Sequence, residues 1–112
     1  MSTIPVTKEM IEHAQPRDRW NCIVATEFRY MYGKDKETFV MYTDYSDGLE
    51  FHHNGQIAYS DEETFEVSEL FDMLYRLDTP AEEMYIEQLL EMSITIPDAS
   101  EFEDVFLAES VS

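Results

Sequence analysis

The chain has little of what usually marks a membrane protein, a cross-linked scaffold or an enzyme. One of its 112 residues is cysteine, Cys22, so no disulfide can form within it. That fits a reducing compartment such as the cytoplasm. Three glycines and four prolines are too few for a collagen-like or linker-dominated chain. No apolar run approaches the roughly 20 residues of a membrane span. The opening MSTIPVTKEM lacks the basic and apolar regions of a signal peptide, so no leader is expected. Gly-rich phosphate loops and serine-nucleophile motifs are missing too, and the chain is not expected to be an enzyme.

Basic residues are also scarce. Seven Lys and Arg stand against 25 Asp and Glu, a net charge of −18 and a pI near 4.1. The imbalance is uneven. Residues 1–59 carry nine acids and six bases, a net of −3, whereas residues 60–112 carry sixteen acids and one base, Arg76, a net of −15. Such a chain repels DNA, RNA and anionic lipid, because nucleic-acid affinity rests on neutralising phosphates. Solubility favours added carboxylates, but not a net of −15 over 53 residues. Adaptation to high salt would spread the charge over both halves.

What is abundant is apolar. Hydrophobic residues make up 44% and aromatics 13%, enough for a packed core rather than a disordered chain. The length suits one domain, 1–112. Its N-terminal segment, 1–19, holds a short helix over 7–14 capped by Thr7. From Trp20 to Tyr32 apolar residues alternate with period two, which predicts a strand with Cys22, Val24 and Phe28 on its core face. Phe39, Met41, Thr43 and Tyr45 predict the core face of a second strand, joined to the first by a turn at GKDK, 33–36. A three-residue SDG turn at 46–48 would then set Tyr45 opposite Leu49 and Thr43 opposite Phe51. Asn54-Gly55 is a strong hairpin signal and places Ala58 opposite Phe51.

The antiparallel sheet is thus expected within 20–67 and a helical pair within 68–93. The first helix starts at Ser68 and carries Leu70, Phe71, Met73, Leu74 and Leu77. The second starts at TPAE, with Thr79 as N-cap, Pro80 at the first position and Glu82 as capping-box partner. It buries Tyr85, Ile86, Leu89 and Met92. ITIP at 94–97 ends the helix or adds a short strand. The acidic C-terminal segment, 94–112, closes with a short helix or a loose tail. The expected fold is α+β: an antiparallel meander of three to four strands with two C-terminal helices on one face. The other face, with Ile23, Ala25, Met31, Val40, Tyr42, Ile57 and Tyr59, is apolar enough to be covered by the N-terminal segment or by a second copy of the chain.

Conventional sites are not expected. His52 and His53 are adjacent on a strand and point to opposite faces, so they cannot share one ion. His13 is distant in sequence, and no known ligand spacing occurs; neither metal nor cofactor is expected. Cys22 reads as a buried structural thiol.

The acids divide into two groups. Glu69 and Asp72, and Glu82 and Glu83, fall in predicted first helical turns, where the helix dipole favours negative charge. Asp61, Glu62, Glu63 and Glu66 have no such reason, nor do Glu101, Glu103 and Asp104. Glu83, Glu87 and Glu91 recur every fourth residue with no basic partner, each pair costing about 0.2–0.5 kcal/mol in an isolated helix. Met84 is predicted beside that stripe, exposed, as suits a contact surface. These eleven residues are the candidate partner-binding set.

In size, single-sign charge, aromatic-rich core and acidic runs at 61–72, 82–91 and 101–104, the chain resembles the phage-encoded DNA-mimic inhibitors. These include anti-restriction proteins, anti-CRISPR proteins and inhibitors of uracil-DNA glycosylase. The likeness is one of composition and carries no individual residue roles. It implies a basic DNA-binding partner, such as a nuclease or CRISPR effector in a bacterial cytoplasm, occluded without catalysis and without direct nucleic-acid or membrane contact. A different class, an immunity or antitoxin-like protein that plugs a basic toxin through Tyr and Trp hot spots, fits the same composition.

Overall fold

The computed structural model describes residues 2–16, 18–43, 48–74 and 79–104, and side chains within them except those of 79–81. Strand β1 (Ser2–Pro5) leads into helix α1 (Lys8–His13) and helix α2 (Ile23–Tyr32). Strands β2 (Thr38–Tyr42), β3 (Leu49–His53) and β4 (Gln56–Tyr59) follow. Helices α3 (Glu62–Leu74) and α4 (Thr79–Leu90) precede strand β5 (Ser93–Ile96), a 3-10 turn (Ala99–Glu101) and strand β6 (Glu103–Asp104). The larger sheet runs β2-β3-β4-β6, antiparallel throughout, and β1 pairs with β5 in a second, two-stranded sheet. The class is α+β, as the sequence implies.

The largest departure is α2. Trp20–Tyr32 was expected to be a strand and is mostly a helix. Ile23, Val24 and Ala25 are consecutive and all buried, which no half-buried strand allows. Phe28 continues that helical face, while Tyr30 and Met31 are exposed. Cys22 is the N-cap, its Sγ accepting the Ala25 N–H at 3.4 Å. At the other end Arg29 suits the negative end of the helix dipole and donates to the Trp20, Lys34 and Asp35 carbonyls. The GKDK segment therefore links a helix to a strand, with Gly33 as C-cap at φ 127.

The phase of β2 also differs. Thr38 and Val40 face the core, and Phe39 and Met41 the opposite side. Leu49 pairs with Tyr42 and Phe51 with Val40, not with Tyr45 and Thr43. The Thr43 N–H donates to the Gly48 carbonyl, so the connection is longer than a three-residue turn. Tyr45 and most of that turn lie outside the described residues. A slip of an odd number of residues exchanges the two faces of a strand. Of the apolar outer face expected around Ile23 and Val40, Ile23, Ala25 and Val40 belong to the core, whereas Ile57 and Tyr59 do lie on the outward side of the sheet. The outward rows are instead Phe39–His52–Ile57 and Met41–Glu50–Tyr59. His52 stacks on Phe39 at 4.6 Å and donates its Nε2–H to Glu50 Oε1 at 3.0 Å, while His53 meets Thr38 on the inner side.

Other local signals hold. Thr7 caps α1. The β3–β4 hairpin turns at Asn54 (φ 49) and Gly55 (φ 84), positive values that a tight hairpin turn requires, and Ala58 sits opposite Phe51. Helix α4 starts at Thr79; the capping roles of Thr79 and Pro80 concern side chains outside the described residues, as does Leu77. ITIP adds strand β5, and β1 pairs with it. The closing helix expected near 100–110 is, over its described part, a 3-10 turn followed by β6.

The core lies between the inner sheet face and the helices. Phe28 is its centre, with ring contacts to Phe51 (4.9 Å, edge-on), Tyr32 (5.1 Å) and Phe102 (5.9 Å, stacked). Val67 and Phe71 of α3, Leu89 of α4, and Ile94 and Ile96 of β5 complete it. Truncating such a ring leaves a cavity that its neighbours cannot close. Phe28→Ala should cost about 3–5 kcal/mol in urea denaturation. A loss below about 1 kcal/mol would contradict a core built on this residue.

Candidate functional site

Helix α3 begins at Glu62, six residues before the expected Ser68, and Phe65 and Val67 are helical rather than extended. The acids of 61–72 therefore change meaning. Asp61 is the cap: its Oδ1 accepts the Thr64 N–H at 2.8 Å. Glu62 and Glu63 occupy the first turn, where the dipole favours them. Glu63 Oε2 also accepts the Ser93 N–H at 2.7 Å, and Thr64 Oγ1 accepts the Thr95 N–H at 2.8 Å. These acceptors fasten β5 to the start of α3. Asp61, Glu62 and Glu63 thus have folding roles that their sequence context hid. Conversely, Asp72 lies in the last turn of α3, not the first, at the end where a carboxylate is disfavoured.

The clamp on β5 brings two separate acidic runs together. Asp61, Glu62, Glu63 and Glu66 form one wall of an open groove, and Glu91, just beyond α4, forms the other. Leu70, Gln88 and Met92 lie between them. The acid carboxylates are exposed, and among the described residues none has a Lys or Arg within salt-bridge distance. The C-terminal turn of α4 contains no basic residue, so its unpaired carbonyls add negative potential at Glu91. Glu83, Met84 and Glu87 are exposed on α4, Met84 at 63%, but do not line the groove.

The remaining candidates lie elsewhere. Glu101 accepts the Asp98 N–H at 2.6 Å and closes its own turn. Glu103 and Asp104 are exposed on edge strand β6, paired with Ile57 and Gln56. The structure thus unites five of the eleven candidates, leaves three on α4 outside the groove, and puts Glu101 in the turn before β6 and Glu103 and Asp104 on that edge strand.

A second feature was not anticipated. Tyr42 donates its hydroxyl hydrogen to Asp72 Oδ2 at 2.6 Å, and its oxygen is 3.0 Å from Ser68 Oγ. Burial first, and then the Asp72 carboxylate, push the Tyr42 phenol well above its ordinary pKa of 10.0. The trio lines a cleft that reaches Cys22 and Asp18. Burial pushes the Cys22 thiol up to about 11, so it is a protonated thiol at neutral pH. The Trp20 N–H, assisted by Asn21, holds the Asp18 carboxyl below its ordinary value. Ser68 and Asp72 are four residues apart, which puts them on one helix face. That signal becomes readable only once α3 is known to start before Ser68. Among the described residues no group of three or more His, Cys, Asp or Glu is arranged to hold a metal ion.

Two stability predictions separate structural from surface acids. Asp61→Ala should cost about 1 kcal/mol in urea denaturation, and Glu66→Ala should change stability by less than about 0.5 kcal/mol; equal losses would contradict the assignment. Because the folded state holds Tyr42 protonated, its contribution is complete below pH 10 and is lost as pH rises above that value. Tyr42→Phe should therefore flatten the alkaline fall in Tm, and an unchanged slope would contradict the Tyr42–Asp72 contact.

With this geometry in view, comparison with models of known protein families, with characterised proteins and with solved structures finds no match.

Proposed function

We propose that the chain is a small inhibitor that imitates nucleic acid and occludes the DNA-binding groove of a basic protein, such as a bacterial nuclease or CRISPR effector. The observation that carries this reading is the groove between α3 and α4. Four carboxylates from the start of α3 face one from the end of α4, with no cation paired to them among the described residues. B-DNA presents about one negative charge per 1.7 Å of axis. Carboxylates on a helix stand about 5–6 Å apart, so the row of four with Glu91 across the groove offers a comparable, if sparser, field. Arg and Lys that grip phosphates would grip these carboxylates through the same charge-assisted hydrogen bonds.

The energetics agree with selection for binding rather than stability. Glu83 and Glu87 repel each other along α4, and Glu87, with Glu91 just beyond the helix, meets the unfavourable end of its dipole. A Lys at one of these places would relieve the strain. Leu70 and Met92 give the groove apolar surface that a partner's aliphatic stems can cover. No helix among the described residues is long and apolar enough to cross a membrane. The proposed site of action is the cytoplasm of a bacterial cell, where the buried single cysteine needs no oxidising partner.

The test is affinity capture from bacterial lysate at low and high salt, comparing the natural chain with Glu62→Lys/Glu66→Lys/Glu91→Lys. These three avoid the Asp61 cap and the Glu63 clamp, so the circular dichroism spectrum should be unchanged. The natural chain should retain a DNA-binding protein at low salt and release it at high salt. The triple variant should lose at least about tenfold in affinity. Capture of a partner that is insensitive to salt and equally held by the variant would contradict the proposal. Retention of a basic toxin through Trp20 or Tyr59, independent of the groove, would favour the immunity-protein reading instead.

A further inference from the structure

The larger sheet turns one face to the core. Helices α2 and α3 pack on that side, where Phe28 meets Phe51, and Ser68 and Asp72 meet Tyr42. An antiparallel sheet with its other face in water normally alternates apolar residues with polar ones. Here the outward positions are apolar as well. Phe39 and Met41 of β2 point away from the core, as do Ile57 and Tyr59 of β4. Trp20 joins them, its ring 6.0 Å from that of Phe39. Tyr59 is 60% exposed and Trp20 37%, while Ile57, between His52 and Glu103 in its row, is buried. An exposed apolar patch of this kind marks an interaction surface.

The charges on this face select its occupant. One row runs Phe39, His52, Ile57, Glu103 from β2 to β6, and the next runs Met41, Glu50, Tyr59. A cation stands at the β2 edge: Arg19, which also borders the cleft beside Tyr42, places its guanidinium carbon 6.0 Å from the Phe39 centroid. An acid stands at the β6 edge, the exposed Glu103. Glu37 precedes β2 and lies outside both rows. The face is therefore complementary to itself. Give a second copy half a turn about an axis parallel to the strands and lay it on the first. The rows stay level and their order reverses. Arg19 beside Phe39 then meets the second copy's Glu103, His52 meets its Ile57, and Glu50 accepts from its Tyr59 hydroxyl. Each contact occurs twice, as in any isologous interface. An axis across the strands would instead set one Arg19 edge on the other and one Glu103 edge on the other, like charge against like.

We propose that the outward face of the larger sheet is a homodimer interface, with two copies stacked sheet on sheet in this orientation. Sheets packed face to face stand about 10 Å apart with their side chains interdigitated. At about 4.8 Å between strands and about 3.4 Å per residue, the face spans roughly 19 by 17 Å. That is small beside the about 800 Å² per partner of a standard interface, so the dimer dissociates in the micromolar range. The net charge of −18 on each copy opposes association at low salt. It is screened beyond about 8 Å at physiological salt. The acidic groove belongs to the helical layer and shares no residue with this face, so the dimer does not depend on what the groove binds.

The test is sedimentation velocity of the full chain from micromolar to millimolar concentration at physiological salt. A concentration-dependent shift from one chain mass to two is expected. Tyr59→Glu, which sets carboxylate against carboxylate, should weaken association at least about tenfold. Arg19→Glu and Glu103→Arg should each weaken it about tenfold. The two together in one chain should restore it, because the pair re-forms with its signs exchanged. All three positions are exposed, so the circular dichroism spectrum should not change. A chain that stays monomeric at millimolar concentration, or a dimer indifferent to Tyr59→Glu, would overturn the proposal. So would a double exchange that fails to restore association. Association lost in Glu62→Lys/Glu66→Lys/Glu91→Lys but untouched by Glu103→Arg would seat the second copy in the acidic groove and overturn it as well. A monomer that still captures a DNA-binding protein would contradict the dimer and leave the proposed function intact.

Discussion

The start of α3 is the joint on which the rest of the molecule depends. Four N–H groups are orphaned at any helix N-terminus, and β5 presents its own N–H groups to the same place. Asp61 satisfies the helix, while Glu63 and Thr64 satisfy β5 through Ser93 and Thr95. Because β5 pairs with β1 on its other edge, the same joint ties down the N-terminus of the chain. Because β5 follows α4, it also fixes where α4 ends relative to α3. The groove is a geometric consequence: Glu91 is delivered opposite Glu66 by backbone hydrogen bonds from β5 to the Glu63 carboxylate and the Thr64 hydroxyl, earlier in the same run. Some acids of the cluster build the site, and others are displayed by it.

Much of the fold was legible where a local rule has a local cause. Asn54-Gly55 dictates its hairpin because it is one of the few pairs that adopt two positive φ values cheaply. Thr7 announces α1, and TPAE marks the start of α4. The segment 20–32 misled because its apolar residues satisfy two periods at once. Alternation from Trp20 to Tyr32 looks like a strand, while Val24, Phe28 and Tyr32 fit a helix equally well. Packing decided in favour of the helix: Phe28 fills the space between Phe51 and Phe102. Once 20–32 is not a strand, nothing pins the phase of β2, and Val40 rather than Phe39 turns inward.

The candidate site was legible as charge but not as geometry. Counting acids identifies the second half of the chain without distinguishing a cap from a displayed carboxylate. Asp61 and Glu66 look alike in sequence, yet one accepts a helix N–H and the other faces solvent. Asp72 seemed to be an ordinary first-turn acid and is instead a buried partner of Tyr42, thirty residues away. Pairings of that range have no local signature. They follow from where α3 begins, which hinged on reading Asp61 rather than Ser68 as the cap.

The candidate acids left over once caps, clamps and first turns are assigned are Glu66, Glu83, Glu87 and Glu91, on α3, on α4 or at its end, together with Glu103 and Asp104 on β6. Their mutual repulsion is tolerated without compensation from cations among the described residues, and a cationic groove on another protein would relieve it. The central claim is that this surface takes the place of DNA on that partner. The most direct measurement is a titration of duplex DNA into the preformed complex of the chain with the protein it captures, followed by fluorescence anisotropy of the labelled chain. Mutual exclusion, with the chain displaced in proportion to DNA and more readily at higher salt, is the predicted result. A stable ternary complex, in which DNA binds while the chain stays in place, would contradict it.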